Sequence, residues 1–428
     1  MKQRSSKDIF IIGFALFSMF FGAGNVIFPP YLGVGSGPQW LMGFLCYYLA
    51  DIGLALLALF SMFRKGGAQG IISPIGKVPS TILMCAIVLC IGPMLAIPRT
   101  AATTFEMSVA PLTTSVNSVV FSIIFFLIIF LFTVRETSVV DIVGKLLTPA
   151  LLVGLLILIF RGVMAPLGQI SDITLTENVA ENGIKAGYQT MDVLATMLFG
   201  VLILKSTADK GYTDKKEKQT VAFRSSIVAG VILLVVYGGL TYLGATVSTM
   251  YDLSISRSAL VLAIVQGLLG KAGLVIFAIV VTLACITTAV GLVSSCANYF
   301  STLSGGKLKY PVLVTVICVF SAVVSNVGLD QLVAIAAPVL DIVYPPTLVL
   351  IALSFFKPLP LAAYRLGTLG ALLFSVLTAI STYGGVAMPF LNVLPLASLG
   401  FGWIIPCALC VLVGLVAGRN GKRADELQ

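Results

Sequence analysis

The first apolar run of the chain carries in its middle a set of residues that an unbroken helix disfavours: Phe21-Gly22-Ala23-Gly24-Asn25-Val26-Ile27-Phe28-Pro29-Pro30. Gly22 and Gly24 weaken a helix, Asn25 offers side-chain bonds that compete with it, and Pro29 and Pro30 cannot donate to the carbonyls of Asn25 and Val26. Apolar sequence flanks them from about residue 8 to residue 34, which at 1.5 Å per residue is roughly 40 Å of straight helix against a hydrocarbon core of about 30 Å. A tilted or interrupted helix fits that length better. In hydrocarbon each freed backbone group costs on the order of several kcal/mol unless protein, cavity water or a ligand satisfies it, so irregular backbone at that depth lines a binding site or cavity. The competing reading is local: the glycines let two helices pack closely, and the prolines mark a kink or the outer end of the helix.

The rest of the chain is of the same apolar kind. Apolar residues make up 58%, charged residues 10%, and the mean hydropathy is +1.08, the composition of an all-α polytopic membrane protein. At about 20 residues per span, helices are predicted at 8–34, 37–62, 80–104, 116–134, 140–161, 186–204, 222–247, 271–300, 310–327, 330–356, 361–381 and 399–418, about 12 transmembrane helices in all. The run after Lys2, Arg4 and Lys7 is too long for the h-region of a cleaved signal peptide, so this segment is expected to stay in the mature protein. On this map 21 Lys and Arg residues fall on one side and only Arg99, Arg161, Lys185, Arg257 and Lys271 on the other, which places both termini in the cytoplasm. The net charge of +9 therefore reports orientation, and nucleic acid is not an expected partner.

With no histidine, histidine metal sites, Ser-His-Asp triads and histidine proton relays are excluded. The eight cysteines all lie in apolar spans, where cysteine behaves as a small hydrophobe. No cofactor is expected. Any chemistry falls to carboxylates, lysine, hydroxyls and backbone. Among the connections, 63–79 is suited to lie along the cytoplasmic surface, 205–221 is basic, and 250–270 contains an apolar stretch too short to span, suited to a lid over an external vestibule.

Inside the spans, Asp192 stands in Gly187-Tyr188-Gln189-Thr190-Met191-Asp192-Val193-Leu194-Ala195-Thr196, and an intramembrane Asp is a functional candidate because a centrally placed charge is costly. A structural Asp bonded to a neighbouring helix is the alternative. No glycine breaks this span at its centre, so the residues argue for a discontinuity less strongly than in the first span. Thr287 and Thr288 pair two hydroxyls that suit a hard cation if freed carbonyls supply further oxygens, although such hydroxyls also bond their own helix. Asp51 and Asp341 are buried on this map and either pair structurally or carry a proton. Lys145 either snorkels to the cytoplasm or occupies a cation site and exchanges protons.

The decamer at 21–30, with Ala96-Ile97-Pro98-Arg99-Thr100-Ala101, Gly144-Lys145-Leu146-Leu147-Thr148-Pro149 and Thr190-Met191-Asp192, resembles the bacterial branched-chain amino acid:cation symporters, the BrnQ-type carriers. The resemblance runs along nearly the whole chain. It implies symport of leucine, isoleucine and valine with Na+, or in some members H+, across the bacterial inner membrane. It also implies a leucine-transporter-type fold of 5+5 inverted repeats, 1–161 and 162–356, followed by two further helices and a short tail, 357–428. Residue by residue it places the substrate carboxylate on backbone N–H groups around Ala23, Gly24 and Asn25, and the ammonium on carbonyls near Phe21 and from Asp192 to Thr196. A sodium site falls at Ser18, Phe21, Ala284, Thr287 and Thr288, and Lys145 or Asp341 stands as a proton site. A channel or a membrane-embedded enzyme is the reading from a different class.

Overall fold

The computed structural model describes residues 6–134 and 139–419, with the side chains of 139–148, 150, 201 and 202 outside the described residues. Among the described residues there is no β-strand, and all twelve predicted segments fall on helix. Among those residues seven helices are long and apolar enough to cross a membrane by length and composition, and a bent pair beginning at Val179 adds an eighth if taken as one span.

The first span is severed. Helix α1 (Ser6–Phe20) stops midway, Phe21 and Gly22 are non-helical, and α2 (Ala23–Ser36) starts afresh. α2 then runs through Pro29 and Pro30, so the interruption sits at the glycines and the prolines neither end nor replace it. The second span is α3 (Trp40–Tyr48) and α4 (Leu54–Lys65), joined by a wide π turn, Leu49–Gly53, that carries Asp51. The connection at 63–79 contains a short helix, α5 (Ala68–Ile72), followed by a 3-10 turn, Ser73–Ile75, and Ile71 and Ile72 are buried in protein, not laid along a surface.

The third span has an interruption that the sequence did not announce. α6 (Lys77–Leu89) and α7 (Ala96–Thr104) are separated by Cys90–Met94, where Gly92 is non-helical and is followed by Pro93. α8 (Ser118–Thr133) is capped by Asn117, whose Oδ1 accepts from Val120 N–H at 2.8 Å. It is followed by α9 (Val139–Met164).

The sixth span is broken as well, without a glycine. α10 (Val179–Thr190) and α11 (Asp192–Asp209) meet at Met191, which takes a left-handed φ of 69°. A non-glycine residue there is strained by about 1 kcal/mol and is held by its surroundings. α12 (Lys215–Ala245) is continuous, whereas α13 (Arg257–Leu303) bends at Gly270, φ 65°, dividing an outer helix from the eighth span. α14 (Tyr310–Val324), α15 (Leu329–Leu353), α16 (Leu361–Tyr383), the single turn α17 (Pro389–Asn392) and α18 (Ile404–Ala417) complete the chain.

The two halves of the first span form the axis of the molecule. Every residue of α2 except Tyr31 is buried, and α12 packs along both α1 and α2. Glycine makes that approach possible: a Cβ on Gly244 would strike the backbone of Pro30. α10 packs on α3, α11 on α4, and α13 on α7 and α9, while α16 and α18 lie together on the flank. Their outer faces present Leu369, Leu373, Leu409, Leu412 and Val416 outward, as a surface in contact with lipid requires.

Candidate functional site

Four helix ends converge where the two spans are broken. The last turns of α1 and α10 and the first turns of α2 and α11 enclose a small cavity whose lining includes Gly22, Asn25, Arg99, Thr190, Asp192 and Thr288. Helix N-termini carry partial positive charge and C-termini partial negative charge, so the cavity offers both signs within a few ångströms. Its free volume is about 30 Å³, room for a water. An amino acid fits only after the half-helices part.

Asn25 holds the two breaks together. Its Nδ2 donates to Asp192 Oδ2 at 2.9 Å and to the Tyr237 hydroxyl at 2.6 Å, while its Oδ1 accepts from Gly22 N–H at 3.4 Å. One side chain thus caps α2 and ties it to α11 and α12. The last backbone bond of α1 runs from Phe21 N–H to Phe17 O. Gly22 N–H, the natural partner of Ser18 O, has turned to Asn25 instead.

Arg99 braces the second break. Its Nη1 donates to Gln189 O at 2.5 Å and its Nη2 to Thr190 O at 3.1 Å, so the guanidinium caps the C-terminal end of α10, where a cation is favoured. A Cβ on Gly24 would lie 2.9 Å from Arg99 Nη2, so glycine there admits the guanidinium. Arg99 Nε is buried without a partner. Beside it, the Thr190 hydroxyl lies 2.7 Å from Asp51 Oδ1 and 2.6 Å from Gly187 O, and donates its single proton between them.

Of the residues expected at a substrate site, Ala23, Asn25 and Asp192 line the cavity, and Gly24 lies just behind it against Arg99. Thr196 does not reach it: its hydroxyl donates to Asp192 O at 2.8 Å within α11, and Ala195 takes the lining position. Of the expected cation ligands, Thr288 lines the cavity, and its Oγ1 is buried without a partner. A Cβ on Gly22 would stand 3.6 Å from that oxygen, so the eighth span faces the first break directly. Thr287 instead donates to Ala284 O at 2.8 Å, with Ala284 buried and Ser18 half-buried on the last turn of α1. Phe21 stacks on Phe17 and on Tyr237.

Asp341 accepts from the Tyr383 hydroxyl at 2.8 Å between α15 and α16 and does not line the cavity, and the side chain of Lys145 lies outside the described residues. Sequence reasoning missed Arg99, which was counted on the external side of the charge map at the end of the predicted 80–104 helix and is only 4% exposed. The signal was available: an arginine several residues inside its own apolar segment, directly after Pro98. Tyr237 gave none, being one aromatic among many in an apolar helix.

Above the cavity the outer helix of α13 meets α2. Arg257 pairs with Asp330 at the start of α15, and its guanidinium lies 4.5 Å from the Tyr31 ring centre and 6.0 Å from that of Phe28. The Tyr31 hydroxyl donates to Leu253 O at 2.7 Å. The segment after Thr249 is thereby fastened over the end of α2.

A helical bundle with two broken spans meeting at its axis is the arrangement of a leucine-transporter-type membrane transporter. Solved structures of that kind superpose on the chain. A Na+-coupled sialic acid symporter gives a TM-score of 0.58 at 13% identity, covering 97% of this chain and 90% of that one. The nucleobase-cation-symport-1 family transporter Mhp1 in a closed conformation gives 0.58 at 14% identity, covering 96% and 92%. A manganese transporter of Eremococcus coleocola gives 0.60 at 13% identity, covering 98% and 97%. These similarities define the fold.

Sequence narrows the class to a family. The family model described as branched-chain amino acid transport protein matches residues 5–420. The branched-chain amino acid permease BraB of Bacillus subtilis (strain 168) is 35% identical over 425 residues, 96% of this chain and 95% of its own. The permease BrnQ of Escherichia coli (strain K12) is 34% identical over 432 residues, 98% of each chain. The chain belongs to the branched-chain amino acid transport protein family, whose named relatives are permeases and carriers, not enzymes.

Proposed function

We propose that the protein is a secondary active transporter that imports leucine, isoleucine and valine by symport with Na+ and alternating access. The observation that carries this reading is the meeting of two helix breaks at one buried cavity, where α2 and α11 present N-termini and α1 and α10 present C-termini. The substrate carboxylate docks on the backbone N–H groups at Ala23 to Asn25, with the spare N–H of Arg99 beside them, and the ammonium turns to Asp192 and the carbonyls near Phe21. Aliphatic side chains contact Ile91, Phe199 and Leu292, which also line the cavity. Leucine and valine differ there by one methylene, worth only about 1–3 kcal/mol, so all three branched residues are accepted.

The cation reading is supported by Thr288 Oγ1, a buried hydroxyl oxygen with no hydrogen-bond partner beside the first break, and by a Ser18 carbonyl that has lost its helix partner. Na+ there would bridge α1 and α13 and close the break around the substrate, which makes ion and amino acid bind cooperatively. In the cell the chain is a multi-pass protein of the bacterial inner membrane with both termini cytoplasmic, its two five-helix repeats at 1–161 and 162–356 rocking about the cavity. The test is uptake of labelled leucine into proteoliposomes with sodium and pH gradients imposed separately. Sodium alone should drive accumulation against a leucine gradient. Accumulation driven by the pH gradient alone would assign the coupling to H+, and equilibration without accumulation would leave a channel.

A further inference from the structure

We infer that the carboxyl groups of Asp51 and Asp192 hold one proton between them in the substrate-free protein, and that the ammonium group of the arriving amino acid displaces it. The inference rests on reading the cavity as the substrate site and adds an exchanging proton to it. Asp51, on the wide turn of the second span, is 0% exposed, and Asp192, the first residue of α11, is 5% exposed. The two acids act on each other directly, and the Thr190 hydroxyl ties them together, 2.7 Å from Asp51 Oδ1 and 3.5 Å from Asp192 N. Thr190 faces Asp51 Oδ1 and Asn25 serves Asp192 Oδ2, but Asp51 Oδ2 is buried with no donor. Two ionised carboxylates offer each other only acceptors, and facing pairs of this kind cannot both ionise. A single proton between them turns one acceptor into a donor and removes the repulsion.

The surrounding charge leads to the same occupancy. Facing the pair are Arg99 from α7 and the tyrosines Tyr47 from α3, Tyr237 from α12 and Tyr344 from α15. The Tyr47 hydroxyl is itself unpartnered and lies beside Asp51, so it is a neutral donor that leaves the charge unchanged. One guanidinium against two carboxylates leaves a buried negative charge, whereas one guanidinium against a singly protonated pair is neutral. Independently of the acids, Arg99 lines the same cavity with its buried Nε unused, an anion receptor next to a cation receptor. A zwitterion matches that pairing. Its ammonium donates to Asp192, which lines the cavity, and the positive charge it brings against the pair makes the shared proton redundant, while the coupling cation near Thr288 offsets the second negative charge. The released proton passes to bulk water.

The experiment is calorimetric titration of the purified full chain with leucine, in saturating sodium and at one pH, in buffers of different ionisation enthalpy. The binding heat should vary with the buffer by the amount for about one proton released per leucine, and the affinity should tighten by up to about tenfold per pH unit as pH rises towards release of the proton. Asp51→Asn carries the charge of the protonated pair, so its binding heat should be independent of buffer and its pH profile flat. Buffer-independent heat in the unsubstituted protein, or a buffer dependence that survives in Asp51→Asn, overturns the inference. Absence of leucine binding in every buffer instead contradicts the substrate site itself. Where Asp51→Asn does not fold, infrared spectroscopy of the unsubstituted protein decides: a protonated carboxyl band should disappear when leucine is added, and a band unchanged by leucine overturns the inference.

Discussion

Asn25 is at once the cap of α2 and the brace between two interrupted spans, because three buried partners converge on its one amide. Asn25→Ala strips a donor from Asp192 and from Tyr237 and an acceptor from Gly22. With each unsatisfied buried group costing about 1–3 kcal/mol, the variant should unfold several degrees lower and bind leucine at least about tenfold more weakly. Thermal unfolding and equilibrium binding on the purified protein check both. Gly24→Val tests a different contact. The added carbons would meet the Arg99 guanidinium, so leucine binding should be lost while the chain still inserts and purifies, and unchanged affinity would contradict the reading. Thr288→Ala removes the orphaned oxygen beside the first break, whereas Thr287→Ala removes a hydroxyl already bonded within its helix. The double variant should lose most of its sodium activation, with the larger share traced to Thr288, as measured by the sodium dependence of leucine uptake.

At the scale of elements, what could be read from the chain depended on whether a residue's signature was local. The first break was legible because two glycines, an asparagine and two prolines fall within ten residues, and all of them are visible without a neighbour. The sixth-span break was not: Met191 is held in a left-handed conformation by tertiary packing, including Arg99 capping the helix before it, and no single-residue propensity encodes that. The third-span interruption at Gly92-Pro93 was overlooked because one glycine and one proline are within what a packed span tolerates. The outer helix was expected as a lid from its length alone, and its fastening to α2 and α15 through Arg257 appears only in three dimensions. Arg257→Ala should loosen that fastening. Hydrogen exchange across 257–269 should then speed up and leucine should dissociate faster, while exchange in α12 stays as before.

For the molecule as a whole, composition and segment spacing were sufficient to place apolar segments that fall on helix among the described residues, because burial in lipid demands long apolar runs and leaves little freedom. They could not place the site, which is assembled from positions far apart in the chain: Asn25, Asp51, Arg99, Asp192, Tyr237 and Thr288. What unites these residues is that each lies beside a helix break, Thr288 with its oxygen unpartnered. On the proposed reading the small cavity corresponds to a closed state, and substrate binding separates α1, α2, α10 and α11 before they close again. The most direct measurement is a high-resolution density map of the purified protein with leucine and sodium. Its carboxylate should sit at the start of α2 beside Gly22 to Asn25, with its ammonium facing Asp192. Leucine bound elsewhere, with a first span that runs unbroken past Phe21 and Gly22, would contradict the assignment.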